Sequence, residues 1–387
     1  MTMNKVKDML KKNTMLIALV VITIFFAWKT NGTLLAPQNI TNLISQNGYV
    51  VILAVGMLLC ILTGGNIDLS VGSIVALVGA LAGKLIVTYK MNIYIAILIC
   101  LLAGVLLGVW QGYWIAYTRI PAFIVTLAGM LLFRGMALMI LDGLTISPFP
   151  ANFFNLFNSF IPDPFGGTVN ILAIIVGITI CIVYAGVTLA TRTKRASRGY
   201  EMESKSRMFG RIAMISALIL VLSYSLSKYK GIPSILILLT VIVLGYTYYT
   251  SKTIPGRHFY AVGGNEKAAK LSGINTDKIL MFAYVNMAFL SAVVALISVA
   301  RFNSAAPTAG QNYEMDAIGA CYVGGVSAYG GIGTVAGVVV GAIFMGVLNN
   351  GMSIMGIDAN IQKAIKGLVI LAAVAFDVIS KKRGKIA

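Results

Sequence analysis

The sequence predicts an all-α, polytopic integral membrane bundle of about 10–12 transmembrane helices, and three observations carry that reading. Apolar residues make up 58% of the 387 and charged residues only 11%, far less charge than a soluble surface of that size carries. The mean hydropathy is +0.89. The apolar residues are also gathered into runs of spanning length, without the short alternating segments of a membrane β-barrel. In lipid the backbone must hydrogen-bond within its own segment, so each run is a helix.

Eleven runs stand out: 14–28, 48–63, 70–88, 93–118, 121–141, 169–190, 212–227, 232–250, 279–300, 329–350 and 364–379. The first follows Lys5, Lys7, Lys11 and Lys12, as a signal peptide would. No small-residue cleavage site comes after it, so a retained anchor helix is expected. The stretch 191–211 carries seven Lys or Arg, 251–278 carries Lys252, Arg257, Lys267, Lys270 and Lys278, and Lys381, Lys382, Arg383 and Lys385 follow the last run. The stretch 142–168 has no Lys or Arg and holds Asp142 and Asp163. Basic residues collect on the cytoplasmic side, so both termini and the two basic loops are expected inside and 142–168 outside. The formal net charge of +18 is therefore an orientation signal and not a nucleic-acid face. Both termini inside demands an even number of crossings. The stretch 315–327 is the expected extra element, either a short or broken helix or a re-entrant segment.

Forty glycines shape the packing. Spacing of the GxxxG kind occurs at Gly79/Gly83, Gly104/Gly108 and Gly333/Gly337/Gly341, and flattens one helix face so that two backbones approach closely. "GGNIDLSVGS" at 64–73 and "GGVSAYGGIGT" at 324–334 each lead into a small-residue helix. That weak repeat allows for two related halves or for chance likeness between glycine-rich helices. In the first stretch Gly64 and Gly65 allow a turn, and Asp68 or Ser70 is expected to accept the free N–H groups of the helix that follows. The same polar residues, Asn66, Asp68 and Ser70, are candidates for lining a translocation path or gate.

Other chemistry is missing. There is no GxxxxGK[ST] phosphate loop and no HExxH, and the one histidine, His258, lies in a basic loop. Cys60, Cys100, Cys181 and Cys321 are scattered through apolar runs as packing residues. Arg134, within an apolar run, is expected either to snorkel to the outer headgroups or to pair with an acid, Asp68 being the nominee, with a gating role as the alternative. Lys84 is expected to snorkel. Asn286, Asn349 and Asn350, polar groups near span ends, are further candidates for lining the path.

Four ordered blocks resemble a known family. "GGNIDLSVGS" at 64, "IPAFIVTLAGMLLFRG" at 120–135, "GRHFYAVGGNEKAAKLSGIN" at 256–275 and "MDAIGACYVGGVSAYGGIGTVAGVVVGAIFMG" at 315–346 look like the permease subunits of ATP-binding-cassette monosaccharide importers of the ribose/xylose/galactose type. The chain reads as one permease domain over 1–387. An extra helix pair at about 169–227 makes it look closer to the longer xylose or multiple-monosaccharide permeases.

The resemblance implies a transmembrane subunit of an ATP-driven importer in the bacterial cytoplasmic (inner) membrane, forming the pathway for a monosaccharide such as xylose or galactose. It implies no enzymatic activity and no cofactor of the chain's own, ATP being bound by a partner subunit. The implied partners are that ATP-binding subunit, an extracytoplasmic sugar-binding protein, a second copy of the chain, and membrane lipid. It also implies a coupling helix in the loop at about 251–278, seated on the ATPase. There Asn265 caps a short helix, Glu266 lies in its first turn and Gly273 ends it. Gly263, Gly264, Asn265, Ala268, Ala269, Ser272 and Gly273 are the expected docking residues, the small ones allowing close approach. A surface helix held to anionic lipid by Lys267 and Lys270 is the plainer reading of the same segment. The functional alternative is an ion-coupled secondary transporter, with Asp68, Glu314 and Asp316 as its coupling acids.

Overall fold

A computed structural model describes residues 14–200 and 204–384, and among these the fold is helical throughout. The order is α1 (Thr14–Lys29), a short 3-10 turn (Thr33–Leu35), α2 (Pro37–Leu62), α3 (Val71–Ala82) running on into a π-helical turn (Gly83–Thr88), α4 (Ile93–Ala116) and α5 (Ala122–Leu141). Then come α6 (Ala151–Asn158), α7 (Ile171–Ala196), α8 (Lys205–Ser227), α9 (Ser234–Lys252), α10 (Ile254–Gly264) and α11 (Glu266–Leu271). The chain ends with α12 (Thr276–Phe302), α13 (Tyr313–Val323), α14 (Val335–Ile354) and α15 (Ala359–Gly384). Nine of the described helices are long and apolar enough to cross a membrane. With α1 and α15 they account for the eleven apolar runs. Lys5, Lys7, Lys11, Lys12 and Lys385 lie outside the described residues.

The element at 315–327 resolves the parity. Past α12 the chain does not form a helix at once. Residues 303–312 run unwound along α3, from Gly83, where Ala305 packs, to Gly72, where Gly310 packs. The helix α13 then completes the traverse. Ala320 and Gly324 lie against α14, and Gly331 N–H reaches Leu62 O at 3.1 Å. This is one crossing, extended in its first half and helical in its second. Counting it, the described residues run twelve times between the two ends of the bundle. Met15 and Asp377 both sit at the 325–328 turn, so α1 begins and α15 approaches its end on one face.

That face also carries the α4–α5 loop and α10–α11, tied together by Arg119 and Glu266. We call it the basic face. The opposite face is held by the antiparallel bridges Ile146–Ala305 and Phe160–Pro233 and by the Lys84–Asp142 ion pair at 3.3 Å. The expected snorkelling of Lys84 therefore ends at a carboxylate.

The core is the cluster α2, α3, α12, α13 and α14, whose facing residues are almost all buried. Glycine sets the closest contact. A Cβ at Gly104 would lie 2.5 Å from Ala292 Cβ, and one at Gly108 would lie 2.6 Å from Val285 Cα. The GxxxG face of α4 thus admits the backbone of α12.

Helix α2 starts eleven residues before the apolar run does. Its polar first turns survive because they are partnered: Asn39 and Asn350 exchange hydrogen bonds of 2.8 and 3.1 Å. At the periphery, α7 and α8 form a hairpin that packs mainly on itself. It touches the bundle through a small core of Ala173, Leu226 and Ile232 near the opposite face.

Candidate coupling and translocation site

The segment at the basic face is built from its caps. Thr253 Oγ1 accepts the Gly256 N–H at 3.1 Å and starts α10 with Pro255 in the first turn. Asn265 closes α10 and opens α11, its Oδ1 accepting the Ala268 N–H at 3.0 Å. Glu266 stands in the first turn, where the helix N-terminus favours an anion. Ser272 Oγ donates to Ala268 O at 2.9 Å, and Gly273, at φ +84°, turns the chain out so that Ile274 N–H reaches Ala269 O. The expected cap, first-turn acid and terminator are all in place.

Of the seven expected docking residues, Gly264, Asn265, Ala268, Ser272 and Gly273 are exposed. Ala269 is not: it is buried against the chain, because it lies on the inner side of a one-and-a-half-turn helix. Gly263 also faces inward. A Cβ there would sit 1.7 Å from Leu62 O and 2.5 Å from Gly331 N. At Gly264, by contrast, a Cβ meets nothing within 4 Å. Leu271 was not foreseen. It closes α11 with 89% of its surface exposed, an apolar side chain at the tip of the segment.

Gly263 is where three loops meet. The turn after α2 and the turn before α14, the two glycine-rich stretches of the weak repeat, touch backbone to backbone. A Cβ at Gly65 would fall 2.1 Å from Ala328 O, and one at Gly330 would fall 2.5 Å from Gly64 N. Gly331 in turn lies against Gly264 N. A second tie is Arg119, in the left-handed region at φ +59° between α4 and α5. Its guanidinium donates to Glu266 Oε1 at 2.5 Å, to Asp277 and, at 3.1 Å, to Thr276 Oγ1. Partial burial opposes its charge, yet Glu266 and Asp277 prevail and hold it above the ordinary arginine range. Sequence reading passed over Arg119 because its acids lie about 150 residues away.

The polar candidates inside the bundle fall into separate groups. Asp68 and Ser70 do not cap α3. Asp68 Oδ1 accepts both the N–H and the Oγ–H of Ser70, at 2.8 and 2.6 Å, and Ser70 is itself the residue before the helix. Oδ1 is thus taken within its own turn and no N–H of α3 reaches it, while Oδ2 is buried without a hydrogen-bond partner. Gln111 Nε2 donates to Ser70 Oγ at 2.7 Å and ties this turn to α4. Gln111 is a lone amide in an apolar run, a signal the sequence did carry.

Arg134 neither pairs with Asp68 nor snorkels. Its Nη1 donates to Pro307 O at 2.8 Å and Ala309 O at 2.6 Å. The unwound half-crossing exposes carbonyls without intrahelical donors, and the guanidinium supplies them.

Asp316 forms a third group. It bonds Lys366 Nζ of α15 at 2.8 Å, Tyr49 Oη at 2.6 Å and Asn349 Nδ2 at 3.4 Å. Asn286 accepts from Tyr246 on α9, and Asn66 Nδ2 donates to Thr63 O at 3.0 Å within its turn. Asn66, Asp68 and Ser70 are thus close together, whereas Arg134, Asn286 and Asn349 lie in three other places.

Comparison with known proteins places the chain. A family model described as the permease component of the branched-chain amino acid transport system matches residues 39–374. The xylose transport system permease protein XylH of Escherichia coli is 38% identical over 369 residues, 95% of this chain and 92% of that protein. XylH of Haemophilus influenzae is 37% identical over 372 residues, 95% and 96% of the two chains. The ribose import permease protein RbsC of Escherichia coli is 33% identical over 340 residues, 88% and 85%. No solved structure matches. The chain belongs to this permease family, as a transmembrane permease subunit of the ATP-binding-cassette sugar-importer type.

Proposed function

We propose that the chain forms the pathway for xylose or a related aldose such as galactose, with its basic face in the cytoplasm and α10–α11 seated on the ATP-binding subunit. Two copies of the chain enclose one pathway, and an extracytoplasmic binding protein loads it from the opposite face. One observation carries the reading: the outward tip of α11 is an uncovered apolar Leu271 beside the open Gly264, while the inward side of α10 meets both glycine turns at Gly263. A partner that pushes on Leu271 therefore pushes on the turns. Asn66, half-buried on the first turn, is the pathway residue in this scheme. Asp68 and Ser70 with Gln111, Asn286 with Tyr246, and Asn349 with Asp316 brace the helices around it.

The test is uptake of radiolabelled xylose into vesicles holding the chain, its ATPase and its binding protein. Uptake should require ATP hydrolysis, survive collapse of the proton gradient at constant ATP, and be competed most strongly by the transported aldose. Accumulation by the chain alone, or loss of uptake on collapsing the gradient, would overturn the proposal in favour of ion coupling. Of the three acids that ion coupling would call on, Asp316 is paired with Lys366, so the gradient test bears on Asp68 and Glu314.

A further inference from the structure

We propose that the basic end of the peripheral α7–α8 hairpin is a binding site for the headgroup of an anionic phospholipid. Thr191, Lys194, Arg195, Arg198 and Tyr200 line a cavity of about 620 Å³. All five are exposed, and no acid is paired with any of its three cations among the described residues.

Capping does not account for the cations. The turn after α7 already serves the last carbonyls of that helix with backbone donors: Ser197 N–H to Thr193 O, Gly199 N–H to Ala196 O and Tyr200 N–H to Arg195 O. The partial negative charge of a helix C-terminus is about half a unit, well short of three cations. Among the described lining residues three cations remain, two of them guanidinium groups able to grip phosphate oxygens in pairs.

Position identifies the occupant. The cavity begins at Thr191, where the apolar stretch of α7 gives way to charge, which is headgroup depth. One and two turns before Thr191 on the same face of α7, Val187 and Val183 are uncovered by protein. Acyl chains fit that bare surface while the phosphate sits among Lys194, Arg195 and Arg198. A free anion would use the cations and ignore the apolar wall. The inference does not rest on the transport assignment, and its readout is lipid retention, not uptake.

The experiment is native mass spectrometry of the full chain purified in mild detergent, with phosphatidylglycerol or phosphatidylcholine added. The wild type should retain phosphatidylglycerol selectively. Each basic residue at such a surface is worth roughly a factor of five, so Lys194→Gln, Arg195→Gln and Arg198→Gln together should weaken that retention roughly 100-fold and leave phosphatidylcholine unchanged. These side chains are exposed, so folding should be preserved, and an unchanged thermal midpoint checks it. The control triple Lys90→Gln, Lys228→Gln and Lys230→Gln removes equal charge from exposed positions at the opposite face and should retain the lipid. Equal retention of the two lipids by the wild type, or equal loss in the control triple, would overturn the proposal. So would full displacement by millimolar inorganic phosphate, which would mark a free-anion site.

Discussion

Two neighbouring glycines should respond in opposite ways to the same methyl group. In Gly263→Ala the new Cβ falls 1.7 Å from Leu62 O and 2.5 Å from Gly331 N. Both are backbone atoms and cannot swing aside. The 3.1 Å bond between Leu62 O and Gly331 N must open, at about 1–3 kcal/mol for a buried pair. Forcing the loops apart adds about 1–3 kcal/mol of overpacking strain. The sum is about 2–6 kcal/mol. In Gly264→Ala the methyl meets nothing, so the change should stay within about 0.5 kcal/mol. Denaturant titration of the purified chain in detergent, followed by intrinsic fluorescence, measures both. Gly264→Trp should then fold like the wild type yet lose the ATPase in co-purification, since its bulk points only outward. If Gly263→Ala proves as stable as Gly264→Ala, the three-loop junction is misplaced.

Arg119→Ala should cost at most about 1 kcal/mol, because its ion pairs are substantially exposed. It should nonetheless lower sugar transported per ATP hydrolysed, and Arg119→Lys should restore little of it, because an ammonium lacks the fork that reaches Glu266 and Asp277 together. Arg134→Met leaves the carbonyls of Pro307 and Ala309 without a donor and should destabilise by about 2–6 kcal/mol, read in the same titration. Asp316→Asn strands Lys366 and should cost about 3–5 kcal/mol, whereas adding Lys366→Met should recover most of that loss. Failure of the second change to rescue the first would mean the pair is not closed as described.

The spans were legible because each is a run of apolar residues, and bilayer thickness sets a length that a sequence can meet or miss. The caps of α11 were legible for the same local reason: Asn265, Glu266 and Gly273 lie within nine residues. What stayed hidden depends on distance along the chain. Nothing near 303–312 tells that its carbonyls are served by Arg134, some 170 residues earlier. The polar turns at the start of α2 look unfit for a membrane until Asn350 is seen across from Asn39. Asp68 misled for the opposite reason, since an acid before a small-residue helix reads as a cap until its neighbour Ser70 captures it first.

The meeting of the two glycine turns with α10 has a mechanical meaning. Side chains absorb small displacements by hopping between rotamers, so a contact made of them has play. Main-chain atoms pressed on one another have no such freedom. A shift of α10 by a fraction of an ångström is therefore delivered to both turns at once and undiminished, like a cam bearing on two followers cut from the same bar.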